Sequence, residues 1–236
     1  MNAERPSAET EPIPIVGGTG ALGAGLALRW AKAGQPIAIG SRSAERAEEA
    51  ASQIRDAVPG AEVEGLLNEE AAKRAGVVFL TVPFRAQSEN LNNLRTALEP
   101  GQILVDCTVP LAAAVSGKAT RSLGVWQGSA AQQAQEMVPD GVTVVAALHT
   151  IAAPTLADLG AKLGEDVLVC GDRKADKARV ATLVELIPGL RAVNAGPLET
   201  ARIVEQLTPL LISINARYKT HAGIRLTGLP EGDYWT

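Results

Sequence analysis

Three glycines at fixed spacing, Gly18, Gly20 and Gly23, form the pattern G-x-G-x-x-G within Val16-Gly17-Gly18-Thr19-Gly20-Ala21-Leu22-Gly23. The pattern stands between a short apolar run (Ile13, Ile15, Val16) and an apolar stretch (Leu26, Ala27, Leu28, Trp30) that ends at Gly34. A strand before it and a helix after it give each glycine a task. Gly18 permits the tight strand-to-helix turn, Gly20 lets backbone N–H groups approach a pyrophosphate, and Gly23 lets helix and strand pack closely. The start of the helix adds partial positive charge where phosphates would lie. The motif reads as a dinucleotide site, with a purely structural turn as the alternative.

A second apolar run, Pro36 to Gly40, leads straight into Ser41-Arg42-Ser43. In an NAD site an acidic side chain about 20 residues after the glycines accepts from the ribose 2′-hydroxyl. Ser41 lies 23 residues after Gly18, and no Asp or Glu is there. A hydroxyl and a guanidinium are instead the partners of a 2′-phosphate. Ser43 reads as the N-cap of a helix from Ala44 to Ala57, which puts Arg46 in a first turn where a cation opposes the helix dipole unless an anion is near. NADP is therefore expected over NAD; two solvated arginines are the alternative.

The run Val77 to Val82 is continuously apolar, as in a strand covered on both faces, and Pro83 stops it. Ligands of open α/β sheets lie beyond the carboxyl ends of strands, so Thr81, Val82 and Pro83 should flank the nicotinamide ribose unless they are only a strand stop. A second V-P stop, Val109-Pro110, follows Ile103 to Cys107. His149 follows the run Thr143 to Leu148 at the same edge, either as a neighbour of the reacting ring or as a hydrogen-bonded structural residue. No Cys/His cluster suggests a metal, and no nucleophile elbow suggests hydrolysis. Oxidising an alcohol or hydroxy acid would also need a positioned Lys, His or Tyr, and none stands in an obvious motif. If the second redox partner were itself a cofactor, stacking two rings and excluding water would suffice.

The elements that must position these residues alternate. A weak edge strand (61–67) and a short helix (69–75) precede the Val77 run, and a helix from Phe84 to Leu98 follows it. Ser129 and Gln132 form a capping box for a helix to Met137. Further strands are expected at Asp166 to Cys170 and Leu190 to Val193, with a helix from Lys174 to Ile187 between them. Ile203, Val204, Leu207, Leu210, Leu211 and Ile214 mark one face of a long helix that Pro209 should kink. The whole predicts a Rossmann-type doubly wound, mostly parallel α/β sheet.

Composition narrows the function classes. At 236 residues with 46 % hydrophobic and 20 % charged residues, the chain can bury a substantial core. A net charge of -4 without a basic cluster gives no reason to expect nucleic acid. No stretch approaches the roughly 18 apolar residues of a membrane span. Cys107 and Cys170 sit in apolar runs and read as buried reduced thiols of a cytoplasmic protein. Residues 1–11 are polar and read as a disordered extension without an apolar signal core.

The chain also resembles the coenzyme F420-dependent NADP oxidoreductases. The matching pieces run in order: Gly17 to Gly23, Gly40-Ser41-Arg42, Leu80-Thr81-Val82-Pro83, Ala147-Leu148-His149-Thr150-Ile151, Cys170-Gly171-Asp172, Ala195-Gly196-Pro197-Leu198 and Val204 to Leu210. The resemblance implies hydride transfer between C5 of a deazaflavin and C4 of the nicotinamide, with no obligatory side-chain acid or base and His149 as a ring-positioning residue. It implies that Thr19, Gly20, Ala21 and Leu22 hold the pyrophosphate side and that Ser41, Arg42 and Arg46 hold the 2′-phosphate. Val82, Val109 and Ala153 would lie by the nicotinamide half. His149, Ile151 and the stretch around Ala222 would line the deazaflavin pocket. It implies an NADP-binding domain over 12–154, a small C-terminal α/β domain over 155–236 closing the cleft, and a homodimer. Where relatives often carry a polar side chain, this chain has Ala86. An NADP-dependent dehydrogenase or imine reductase of a small metabolite is the rival enzyme, although only about eighty residues follow Pro154. A non-catalytic NADP sensor is the rival of another class.

Overall fold

The computed structural model describes residues 11–230 and Trp235. Apart from Glu11, the expected N-terminal extension lies outside the described residues. Eight strands form one sheet: β1 (Ile13–Val16), β2 (Ile37–Ser41), β3 (Val63–Leu67), β4 (Val77–Leu80), β5 (Ile103–Asp106), β6 (Thr143–Ala146), β7 (Glu165–Cys170) and β8 (Leu190–Gly196). Their order is β3-β2-β1-β4-β5-β6-β7-β8. The first six are parallel, β7 meets β6 antiparallel through the single pair Ala146 and Cys170, and β8 runs parallel to β7.

The sheet is buried on both faces because its central strands are almost wholly apolar, Asp106 at the end of β5 being an exception. Ile13, Ile15, Phe79 and Val105 point to one side, where α1 (Ala21–Lys32), α2 (Ala44–Ala57) and α7 (Lys174–Glu185) pack. Val16, Val78, Leu80 and Leu104 point to the other, covered by α3 (Asn68–Ala72), α4 (Gln87–Leu94), α5 (Ala130–Met137) and the start of α8 (Ala201–Tyr218). On the first side Trp30 lies fully buried against Phe79, with ring centroids 4.7 Å apart, and its indole N–H donates to the Leu183 carbonyl at 2.7 Å. A buried indole needs that acceptor.

Arg29 of α1 is also buried. Its guanidinium donates to the backbone carbonyls of Thr155, Leu156, Asp158 and Ala161, in and just after α6 (Ala153–Ala157). This one side chain thereby satisfies acceptors that the segment's own backbone leaves open.

Several boundaries move from the expected ones. The helix expected over 84–98 is a 3-10 turn at Phe84–Ala86 followed by the shorter α4. The strand expected to reach Val82 ends at Leu80, and β8 is longer than predicted. Ser43 and Ser129 cap α2 and α5 as read, accepting from the backbone N–H groups of Arg46 and Gln132. α8 continues through Pro209. Of its apolar face Val204 and Leu211 are buried, whereas Ile203 and Leu210 stay exposed at 62 % and 54 %.

The segment after α8 returns to β7. Asp166 donates its backbone N–H to the Ile224 carbonyl, and its carboxylate receives the Arg191 guanidinium through two bonds at 2.8 and 2.6 Å and the Leu226 N–H at 2.6 Å. These donors hold the Asp166 carboxyl below its ordinary value of 3.8, against the opposing effect of burial. A depressed carboxyl stabilises the fold above its unfolded value, and that contribution is lost as pH falls through the lower folded value. Asp166→Asn is expected to cost about 2 kcal/mol at neutral pH. Denaturant titrations should show the difference shrinking below about pH 4; a constant difference would place the acid sensitivity elsewhere.

Candidate active site

The glycine loop joins β1 to α1. Gly17 has φ of +74°, and a Cβ there would lie 2.5 Å from Val82 Cγ1. The left-handed turn thus falls on Gly17, one residue before the Gly18 that the pattern suggested. Gly18 is instead held from both sides, its N–H donating to the carbonyls of Ile15 and Gly40, and a Cβ would meet the Ile15 carbonyl at 2.9 Å. Gly23 does let helix and strand close: a Cβ would come within 2.5 Å of Thr81 Oγ1 and 2.7 Å of Gly18 Cα. α1 has no side-chain cap and no acidic residue in its first turn. Its N–H groups and dipole therefore face the cleft uncompensated, which suits a pyrophosphate.

A cleft of about 330 Å³ opens over this loop. Thr19 and Gly20 line its floor, Ser41, Arg42 and Arg46 one end, and Thr81, Val82 and Pro83 a wall. Ser41 Oγ accepts from the Ser43 N–H, while Arg42 is exposed, with Glu89 of α4 at 3.9 Å. Ala86 also lines the cleft, with no polar group to offer there.

Two asparagines on the cleft were not singled out from the sequence. Asn68 Oδ1 accepts the Gly17 N–H at 3.1 Å, Asn68 Nδ2 donates to Asn90 Oδ1 at 3.1 Å, and Asn90 Nδ2 donates to the Ala86 carbonyl. Asn68 is buried and pins the left-handed turn from a residue 51 positions away. Asn68→Ala is expected to raise the Kd for a dinucleotide about tenfold through loosening of the loop. A fluorescence titration would read it; an unchanged Kd would mean that the loop keeps its shape without Asn68.

The other expected site residues do not line this cleft. Ala21 and Ala153 line an apolar groove between α1, α2 and α6, and Leu22 packs against the core. Val109 is half-buried just after β5. Ile151 is buried two residues beyond His149, whereas Ala222 lies past the far end of α8, its N–H donating to Asn215 Oδ1. It lines neither cavity.

His149 follows Leu148, which has φ of +66°. The ring is 5 % exposed, and neither nitrogen has a hydrogen-bond partner. Burial pulls its pKa down to about 4, against a smaller opposing effect of the Asp106 backbone. The ring is therefore neutral at pH 7, one nitrogen a donor and the other an acceptor, with the Asp106 backbone as a weak polar neighbour. The Thr208 hydroxyl of α8 donates to the His149 carbonyl at 2.9 Å.

Beneath the carboxyl ends of β5 and β6 lies a buried polar cluster. Asp106 accepts from the Thr108 N–H at 2.9 Å and from Gln87 Nε2 at 2.8 Å, yet burial pushes its pKa up to about 7. Glu205 of α8 accepts from the N–H groups of Ala130 and Ala131 at the start of α5, and burial pushes it up to about 8. The thiols of Cys107 and Cys170 are free and buried, their pKa values raised by desolvation. Among the described residues no three His, Cys, Asp or Glu side chains come together as a metal site, and no helix is long and apolar enough to cross a membrane.

A parallel sheet in the order 3-2-1-4-5-6, with a glycine loop opening onto an uncapped helix start at the carboxyl edge, defines a Rossmann-type dinucleotide-binding protein. A family model for "NADP oxidoreductase coenzyme F420-dependent" matches residues 12–110. The chain is 43 % identical over 224 residues, 93 % of this chain and 96 % of the relative, to the F420-dependent NADP reductase of Methanothermobacter thermautotrophicus. It is 41 % identical to that of Methanocaldococcus jannaschii, over 92 % of this chain and 98 % of the relative. The chain belongs to the coenzyme F420-dependent NADP oxidoreductase family. A solved structure from Arthrobacter sp. FB24, described as a candidate F420-dependent NADP-reductase, is 27 % identical with a TM-score of 0.69, covering 89 % of this chain and 95 % of that one. An imine reductase from Bacillus cereus shares the fold at 15 % identity and a TM-score of 0.58 over 88 % of this chain, which spans 62 % of that enzyme.

Proposed function

We propose that the protein transfers a hydride directly between NADP(H) and the deazaflavin coenzyme F420, and that it does so as a cytoplasmic homodimer. The observation that carries the reading is a cleft whose ribose end is built from Ser41, Arg42 and Arg46, in a chain 43 % identical to an F420-dependent NADP reductase across nearly all its length. The two coenzymes supply the redox chemistry, C4 of the nicotinamide and C5 of the deazaflavin exchanging the hydride. The N–H groups at the start of α1 bind the pyrophosphate, and Ser41, Arg42 and Arg46 bind the 2′-phosphate. Val82, Pro83 and Val109 form the nicotinamide wall. His149 and Ile151, both buried beyond the end of β6, shape the deazaflavin side. No side chain needs to move a proton, so orientation and water exclusion carry the rate, by about 7–11 kcal/mol.

On this reading residues 12–154 bind NADP, and 155–236 close the deazaflavin cleft. The exposed Ile203 and Leu210 of α8 support a second copy as the cover of that helix. Sedimentation of the purified protein as a monomer would remove the dimer. The buried free thiols agree with a reducing compartment.

The direct test is to mix the protein with NADPH and oxidised F420 and follow the deazaflavin's visible absorbance, with NADH as control. Loss of the band with NADPH is the expected result. NADPH binding with no loss of the band would overturn the reading.

A further inference from the structure

Glu205 is a carboxylate on the buried face of an amphipathic helix, only 1 % exposed. Around it α5 and α8 approach through small side chains, Ala130 and Ala131 on one and Ala201 and Val204 on the other, all buried. Such a contact holds two helices together but lets them slide. The two Glu205 oxygens add direction, one taking the Ala130 N–H at 3.0 Å and the other the Ala131 N–H at 3.1 Å. A buried polar group is a poor way to gain stability, and its best-attested use is to fix one register among several.

What that register controls lies one turn along α8. Thr208 holds the His149 carbonyl at 2.9 Å. Pro209 has no N–H to give to the Glu205 carbonyl four residues back, so the helix ladder is interrupted where the side chain makes its tether. On the other side of α5, Gln87 Nε2 donates to the Ala130 carbonyl at 3.0 Å, to Asp106 and to Thr108 Oγ1. A buried polar path therefore runs from Thr108, beside the Val109 wall, through Gln87 and Ala130 to Glu205, and one turn further along α8 the half-buried Thr208 reaches the His149 carbonyl.

We propose that Glu205 is a positioning residue for hydride transfer, fixing α8 on α5 so that His149 stands at a set distance from the Thr108–Val109 wall. The proposal rests on the function given above. It assigns Glu205 to the spacing of the two rings and leaves NADPH binding to the glycine loop.

The test uses the full chain with Glu205→Gln and with Glu205→Met, which restores packing but offers no acceptor. Three readouts are taken: the NADPH Kd without F420, kcat and KM for F420 with C4-deuterated NADPH, and amide hydrogen exchange in the cofactor-free protein. Both variants are expected to keep the NADPH Kd within about twofold, to raise the KM for F420 about tenfold, and to show a larger deuterium isotope effect than the parent. Exchange over 147–151 should quicken by about tenfold while that of 13–23 stays unchanged. Equal losses for both coenzymes would make Glu205 a general structural residue. Parental behaviour of Glu205→Met would show that packing alone sets the spacing. Should the parent not turn over F420, the functional reading fails by itself, and unchanged exchange over 147–151 would still overturn the positioning role.

Discussion

Arg42→Val is expected to lower kcat/KM for NADPH about a hundredfold and to leave that for NADH within about twofold. Arg42 follows β2 at the ribose end of the cleft, where Ser41 offers a hydroxyl and Arg46 a second guanidinium. A 2′-phosphate there would meet two guanidinium groups and the capped start of α2, whose N-terminal dipole also favours an anion. NADH presents a hydroxyl at the same place and draws little from either cation. Among the described residues Arg42 pairs with Glu89, and both side chains are well exposed, so its removal should leave stability nearly unchanged. Paired titrations with 2′,5′-ADP and 5′-AMP would separate the phosphate contact from turnover. Equal weakening of the two nicotinamides would remove the 2′-phosphate assignment.

His149→Leu should move stability and activity in opposite directions. Leucine removes two buried nitrogens that have no partner, so the protein is expected to gain about 1–3 kcal/mol at neutral pH. The gain should grow in acid. The folded pKa of His149, about 4, lies below its ordinary 6.5, so its neutral form contributes stability fully present above 6.5 and lost as pH falls through 4. Over that window the loss amounts to about 3 kcal/mol, and the leucine variant escapes it. Asp106 and Glu205 run the other way, their raised values giving stability present in acid and lost as pH rises through about 7 and 8. Variant minus parent, measured by denaturation at several pH values, isolates His149 from both. F420 turnover is expected to fall about tenfold as the ring loses its polar neighbour. Full activity in the leucine variant would end the ring-positioning role; a stability difference independent of pH would show that His149 is not the titrating group.

Much of this site was legible because its signals are local. The glycine loop, the Ser43 and Ser129 caps and the V-P pairs each act within a few residues; both caps form as read, whereas the strands end at Leu80 and Asp106, before their V-P pairs. Misassignments within local signals were small: the left-handed turn is at Gly17 because Val82 presses on that side of the loop, and the helix expected at Phe84 begins as a 3-10 turn after Pro83. What the sequence could not disclose is long-range satisfaction of polar groups. Asn68 meets Gly17 across 51 residues, and Glu205 meets Ala130 across 75. Neither residue type is unusual in a helix, and periodicity marks Glu205 as a polar interruption of an apolar face without saying what it bonds. His149 was visible as the polar residue that follows an apolar strand run, but its burial is a property of packing alone.

Arg29 makes the shape of one segment conditional on another. The carbonyls of residues 155, 156, 158 and 161 are all satisfied by its guanidinium. One side chain of the first helix thus serves as the scaffold for a stretch more than a hundred residues further along the chain. Any shift of α1 is passed directly to the segment that begins at Ala153.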